Sequence, residues 1–260
     1  MTRALILAAG QGKRLHPLTE KTPKCLVPFL GKSLLKHQIK TLQKVGIYNI
    51  NIATGFCAEQ IEALGYRTLF NSRFSETNMV ETLFCALDFM EQKDDLVIAY
   101  GDIVYKTDNI KALLNSCDEI SLMVDVNWKD LWAVRMENPL DDAETLVVDK
   151  NNSIIELGKK PVNYDRIHGQ YTGLIKIRKD IIPHVIKFYQ QLDRNKKYDG
   201  HNFSNMYMTN FLQLLIDFGY KVKAVMVRNG WLEIDTVEDI QLYELMAEKG
   251  LLNQFYEVED

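Results

Sequence analysis

Leu5-Ile6-Leu7-Ala8-Ala9-Gly10-Gln11-Gly12-Lys13-Arg14-Leu15 passes from an apolar run straight into a small-residue loop and ends on two cations and a leucine. A loop built from Ala8, Ala9, Gly10, Gln11 and Gly12 has little side-chain bulk, so its backbone N–H groups can close around phosphate oxygens while Lys13 and Arg14 neutralise them. Two better-known glycine loops fail on counting. A dinucleotide loop requires a third glycine, where this chain has Leu15, and an acidic residue about 20 positions on, where it has Leu30, Gly31 and Lys32. A P-loop requires Gly-Lys-Ser/Thr, and Gly12-Lys13 is followed by Arg14. The two glycines alone fit a plain βα turn with a basic rim as well as a nucleoside-triphosphate cradle, so downstream residues must decide between them.

The chain of 260 residues is 47% hydrophobic and 25% charged, ordinary globular values, and long enough for one large α/β domain. One domain over 1–260 is expected, with a nucleotide-binding half over about 1–126 and an acceptor-binding half over about 127–260. A net charge of -4 with scattered basic residues argues against a broad nucleic-acid surface. Cys25, Cys57, Cys85 and Cys117 stand far apart without a Cys-x-x-Cys pair, which points to no zinc site and no disulfide framework. The thiols, the absence of a secretory pattern at the start and the lack of an apolar run near ~18 residues read as a cytoplasmic protein that does not enter the membrane.

Outward from the opening loop, apolar runs and helical spacings alternate: Ala4 to Ala9, Leu34 to Val45, Ile50 to Thr54, Thr82 to Met90 and Leu96 to Tyr100. That alternation predicts a Rossmann-like α/β fold with a mostly parallel central sheet. Ligands of such sheets bind beyond the carboxyl ends of the strands, which brings the Gly10 loop, Thr54-Gly55 and Gly101-Asp102 to one rim. Between Trp128 and Asp142 the periodicity is lost, which reads as a small inserted excursion. Strands are expected near Glu144 to Val148 and Ile154 to Leu157, and helices over Ile181 to Leu192, Phe203 to Phe218 and Val237 to Lys249.

Three features favour the cradle. Lys24 follows Thr22-Pro23, whose restricted backbone fixes one ammonium near the glycine loop. Asp102 ends an apolar strand after Gly101, a position suited to a Mg²⁺ ion shared with phosphates. Trp231, Glu233 and Asp235 alternate, so a strand there would aim all three from one face; Asp235 also suits the N-cap of the following helix. Joining an acceptor phosphate to the α-phosphorus of an NTP demands cations rather than a nucleophilic side chain, so the five histidines are given no catalytic part.

The pattern L-x-A-A-G-x-G-x-R-L, then P-L-T-x-x-x-P-K, Gly101-Asp102 and Glu233-x-Asp235 resembles the nucleotidyltransferase superfamily that activates sugar phosphates and small alcohol phosphates, whose domains are of the GT-A type. Within it, NSRFSETNMVETL, YGDIVY, NPLDDAETL, ELGKK, NMYMTNFLQ and WLEIDTVEDI are most similar to the cytidylyltransferases that take phosphocholine or phosphoglutamine. The resemblance implies CTP and a small phosphorylated acceptor as partners, Mg²⁺ held by Asp102 and Asp235, and a product for capsule or other surface-glycan decoration. It implies nucleotide contacts from Leu7, Ala8, Ala9, Gly10, Gly12, Arg14 and Lys24, the last two as catalytic cations, and a catalytic acceptor-phosphate lysine at Lys160. Thr77 and Asn78 would approach the base or ribose, although a helix-cap role suits them equally. For the acceptor, Trp128, Trp132, Tyr171, Tyr207 and Trp231 with Glu144 and Glu233 would suit an ammonium or amide head, while Trp128 and Trp132 also read as an i,i+4 anchor to the core. A homodimer is compatible with this reading. The rival expectations are a sugar-1-phosphate nucleotidyltransferase using UTP, dTTP or GTP and a non-catalytic nucleotide sensor.

Overall fold

A computed structural model describes residues 1–259 and has a seven-stranded central sheet. Its strands are β1 (Thr2–Ala8), β2 (Ile50–Thr54), β3 (Arg67–Phe70), β4 (Asp95–Tyr100), β5 (Ile120–Asp125), β6 (Gln170–Ile177) and β7 (Val222–Val227). Their spatial order is β7-β5-β6-β4-β1-β2-β3. All run parallel except β6, which is antiparallel to both β4 and β5. β1 is buried along nearly its whole length, with Ala4, Ile6 and Ala8 in the apolar layer on one face and Leu5 and Leu7 in the layer on the other. A strand covered on both faces has no polar side to show, which is why its sequence is a continuous apolar run.

The α/β fold and mostly parallel sheet are as the alternation predicts. The helix expected over Leu34 to Val45 spans Leu34–Lys44, begun by Ser33, whose hydroxyl accepts from the Lys36 N–H. The stretch from Thr82 to Met90 breaks at Cys85-Ala86 into the short helices Met79–Phe84 and Leu87–Met90. The excursion is not irregular throughout: Trp128–Arg135 is helical, burying Trp128, Leu131 and Trp132 at i, i+3, i+4 spacing. The helix expected from Phe203 begins only at Met208, after a 3-10 turn at Phe203–Asn205. Leu146–Val148 and Ile154–Leu157 pair with each other in a separate two-stranded ribbon.

β6 is bulged. Between Tyr171 and Ile175 its register against β5 slips, and Gly173 sits there at φ +84°, with a Tyr100 ring carbon 2.8 Å from where a Cβ would stand. A side chain at that point would meet both a left-handed backbone and the Tyr100 ring.

Candidate active site

The loop after β1 is held from both sides. Gly101 N–H donates to the Leu7 carbonyl at 2.9 Å, Phe56 N–H donates to the Ala9 carbonyl at 3.0 Å, and the Thr19 hydroxyl donates to the Gly12 carbonyl at 2.7 Å. The buried Leu15 closes the 3-10 turn Lys13–Leu15 against the core. Above Gly10 nothing lies within 4 Å of a would-be Cβ, whereas at Gly12, φ +73°, the aliphatic stem of Lys24 lies 2.9 Å away. Gly12 is therefore glycine for its backbone and for the lysine that crosses it.

Lys24 is set by Pro23 and by the 3-10 turn Lys24–Leu26, anchored through buried Cys25 and Val27. Its ammonium donates to Asp102 Oδ2 at 2.8 Å and to Asp235 Oδ1 at 2.5 Å, and the Arg14 guanidinium reaches the same Asp235 oxygen at 3.1 Å. Burial pulls the Lys24 pKa down, but the two carboxylates outweigh it and the net shift is upward. Burial likewise opposes ionisation of Asp235, and Lys24 followed by Arg14 and Arg135 overcomes it, holding that carboxyl below its usual range. Asp102 Oδ1 is buried with no hydrogen-bond partner among the described residues. Asp235 does not cap the Val237–Glu248 helix: Thr236 is the N-cap, in a capping box with Asp239, and the Asp235 carboxylate faces Lys24 instead.

Two hollows meet at this ion cluster. The first, about 170 Å³, is lined by Leu7, Ala8, Ala9, Gly10, Lys24, Thr77, Asn78, Met79 and Asp102, among others. Asn78 both lines it and caps the Met79–Phe84 helix by accepting from the Met79 N–H at 2.8 Å. The Thr77 hydroxyl donates to the Arg73 carbonyl and accepts from the Asn71 amide, which fixes it at the rim. The second hollow, about 310 Å³, holds Arg14, Trp132, Asp142, Glu144, Tyr171, Tyr207, Trp231, Glu233 and Asp235. Trp231, Glu233 and Asp235 share this wall, as their alternation predicts; Trp231–Glu233 is a short strand paired with Ile103–Tyr105.

Two expected acceptor residues lie elsewhere. Trp128 is buried behind Trp132, ring against ring at 6.0 Å and 81°, in the anchoring role. The Lys160 ammonium donates to the carbonyls of Leu140 at 2.8 Å and Asp141 at 2.5 Å, beside the rim rather than lining the cleft. Its aliphatic reach is spent on capping the Pro139–Asp141 turn. Three neighbours were not apparent in the sequence. Tyr100 and Gln170 line the cleft, and Arg135 ties Glu233 to Asp239 just beneath it. Burial, followed by Asp235, pushes the Glu233 carboxyl upward against the pull of Arg135. Burial, Asp142 and Asp199 push Glu144 up to about 7.

Comparison with known proteins places this geometry. Residues 4–139 match the MobA-like NTP transferase domain. The chain is 44% identical over 92% of its length to CTP:phosphoglutamine cytidylyltransferase from Campylobacter jejuni, covering 98% of that protein. It is 42% identical to choline-phosphate cytidylyltransferase from Streptococcus pneumoniae over 40% of this chain and 46% of that one. Its backbone superposes on the inositol-1-phosphate CTP transferase from T. maritima with TM-score 0.72 at 22% identity, covering 98% of this chain and 97% of that one. On the CTP:phosphocholine cytidylyltransferase from Streptococcus pneumoniae it gives TM-score 0.69 at 22% identity, over 95% and 99%. With a glycine loop, a basic turn and a carboxylate at a strand end on one sheet rim, and these matches, the chain belongs to the MobA-like NTP transferase family and is a nucleotidyltransferase.

Proposed function

We propose that the protein transfers CMP from CTP to a small amino-acid-like phosphate such as phosphoglutamine, releasing pyrophosphate and giving a CDP-activated precursor for surface-glycan decoration. The observation that carries this reading is the Lys24–Asp102–Asp235 cluster at the junction of two hollows, one walled by backbone and the other by rings and carboxylates. Similarity to the Campylobacter jejuni relative supports the base and acceptor class.

In this reading the hollow formed by residues 1–126 receives the nucleotide, and residues 127–260 supply most of the acceptor cleft. An oxygen of the acceptor phosphate forms a bond to the α-phosphorus as the α–β bridging bond breaks, and pyrophosphate carries the electron pair away. The attacking phosphate is already anionic at neutral pH, so no side chain has to remove a proton. The chain's task is to bring two anions together and to neutralise them. Lys24 shifts from its carboxylates to the phosphates, and Arg14, on the cleft side of the cluster, meets the acceptor phosphate.

Asp102 and Asp235 fit a divalent cation. Both aim an oxygen at one point now held by an ammonium, and Asp102 keeps a second buried oxygen without a partner among the described residues. Hard oxygen donors of this kind suit Mg²⁺. Among the described residues no group of three His, Cys, Asp or Glu side chains could hold a metal, so these two would share the ion with phosphate oxygens. When bound, such an ion neutralises phosphate charge and polarises the α-phosphorus.

Trp132 lines the cleft, and its indole N–H is buried with no hydrogen-bond partner among the described residues. The deciding experiment measures pyrophosphate release across a panel of NTPs and acceptors, with and without Mg²⁺. CTP with an amino-acid phosphate should give the highest kcat/KM, and activity confined to a hexose 1-phosphate with UTP, dTTP or GTP would overturn the reading.

Glu144 offers a pH test. With its carboxyl near 7 beside Asp142 and Asp199, it is ionised above that pH and neutral below it. If it accepts from an ammonium of the acceptor, KM for the acceptor should rise about tenfold between pH 8 and pH 6, the scale of one charge-assisted hydrogen bond. Glu144→Gln should give a high, flat KM over the same range. A variant profile that still tracks the wild type assigns the pH dependence to another group.

A further inference from the structure

Arg135 is the last residue of the Trp128–Arg135 helix, and its side chain is 3% exposed. Its Nε donates to Asp239 Oδ1 at 2.9 Å and its Nη2 to Asp239 Oδ2 at 3.1 Å, a forked pair. Its Nη1 donates to Glu233 Oε2 at 3.1 Å, and the guanidinium lies over the Trp132 ring at 4.9 Å. Asp239 Oδ2 in turn accepts from the backbone N–H of Asp235 at 2.9 Å and of Thr236 at 3.0 Å. One guanidinium therefore joins the excursion helix, a cleft carboxylate, an aromatic cleft wall and, through Asp239, the main chain of Asp235.

We infer that Arg135 is a positioning residue for the transfer reaction, holding Asp235 and Glu233 in register with the acceptor cleft through the Asp239 carboxylate. This rests on the reading of Asp235 as a reaction carboxylate. Arg135 does not line either hollow, so it acts through its neighbours. The planar fork is essential to the arrangement. A lysine at 135 could supply one point charge but could not satisfy both Asp239 oxygens and Glu233 together.

The reciprocal capping box explains why the fork governs Asp235. The Asp239 N–H donates to Thr236 Oγ1 at 3.1 Å, so the carboxylate is fixed at its own backbone while it holds the N–H groups before the helix. Loss of the guanidinium frees that carboxylate to turn to water, and the Asp235 backbone loses a fixed acceptor. Misplacing a reacting group by about 1 Å costs ~10²-fold in rate.

The test compares Arg135→Lys, Arg135→Gln, Asp239→Asn and the Arg135→Gln/Asp239→Asn pair as full-length proteins, with folding monitored by circular dichroism. Arg135→Gln should lower kcat by ~10²-fold while KM for CTP stays within about twofold, since the nucleotide hollow is untouched. Arg135→Lys should recover less than about a tenth of the wild-type kcat, and the double variant should be no worse than the poorer single one, because both break one linkage. In the CTP complex, Mn²⁺ affinity should fall in the same variants. Wild-type kcat and Mn²⁺ affinity in Arg135→Lys and Arg135→Gln, with only a lowered Tm, would reduce Arg135 to a structural pair. An additive double variant would also overturn the linkage. If Arg135→Gln fails to fold, Arg135→Lys decides alone. Asp235→Asn, run alongside, separates the two failures: its full activity would remove the underlying reading, whereas its inactivity beside unaffected Arg135 variants would remove only this inference.

Discussion

Asp235→Asn is expected to lower kcat by ~10³-fold in the presence of saturating CTP and acceptor. Removing one electrostatic stabiliser typically costs 10²–10³-fold, and this residue is asked both to hold a divalent cation and to orient Lys24. In the ligand-free protein its Oδ1 accepts from Lys24 and Arg14 together. An amide in its place carries no charge, and one of its two orientations turns N–H groups toward an ammonium. The stability signature has a definite sign. Because Lys24 and Arg14 hold the Asp235 carboxyl below its usual range, its contribution is present above the unfolded value near ~4 and is lost as pH falls through the lower folded value. Urea melts should therefore show a shallower acid-side loss for Asp235→Asn than for the wild type. Turnover within tenfold of wild type, with unaltered Mn²⁺ affinity of the CTP complex, would remove the carboxylate from the reaction.

Lys24→Ala is expected to lower kcat by ~10²-fold, the scale of one lost electrostatic donor to developing negative charge. Its second effect needs no substrate. Lys24 separates Asp102 from Asp235, and its loss leaves two largely buried carboxylates facing each other. Breaking a buried pair by removing one partner costs about 3–5 kcal/mol, and partial exposure of Lys24 and Asp102 brings this toward the lower end. The ligand-free variant should therefore melt below the wild type. Millimolar Mg²⁺ or Mn²⁺ without nucleotide should restore much of that difference, because a divalent cation can take the vacated position. The wild type, already neutralised by its own ammonium, should barely respond. Equal metal responses in the two proteins, together with an unchanged kcat, would reduce Lys24 to a structural ion pair.

The glycine-loop side of the candidate site was legible because it is local. Leu5 to Leu15 contains the buried strand, the glycines and the basic turn within eleven residues, and Trp231, Glu233 and Asp235 declare a common face by simple alternation. What could not be read depends on distant pairing. Arg135 sits at the end of a helix of eight residues, too short for its Trp128, Leu131 and Trp132 spacing to show a repeat, and its partner Asp239 lies 104 positions away. The direction of β6 depends on its neighbours in the sheet and not on its own residues. Lys160 was expected to be an acceptor-phosphate lysine only by family resemblance, and the structure has its ammonium donating to two carbonyls of the Pro139–Asp141 turn. Asp235 read both as a metal-binding carboxylate and as a helix cap; Thr236 takes the cap and leaves the acid to the cations.

The reversed strand β6 has a practical consequence. Parallel strands deliver their last residues to the rim, but β6 delivers its first: Gln170, Tyr171, Thr172 and Gly173 line the second hollow while its far end pairs deep in the sheet. The connection entering it pairs with Leu146 and not with the glycine loop on β1. With the second hollow taking the acceptor as proposed, libraries for altered products belong on the approach to residue 170, while Arg14 keeps that hollow tied to the glycine-loop side.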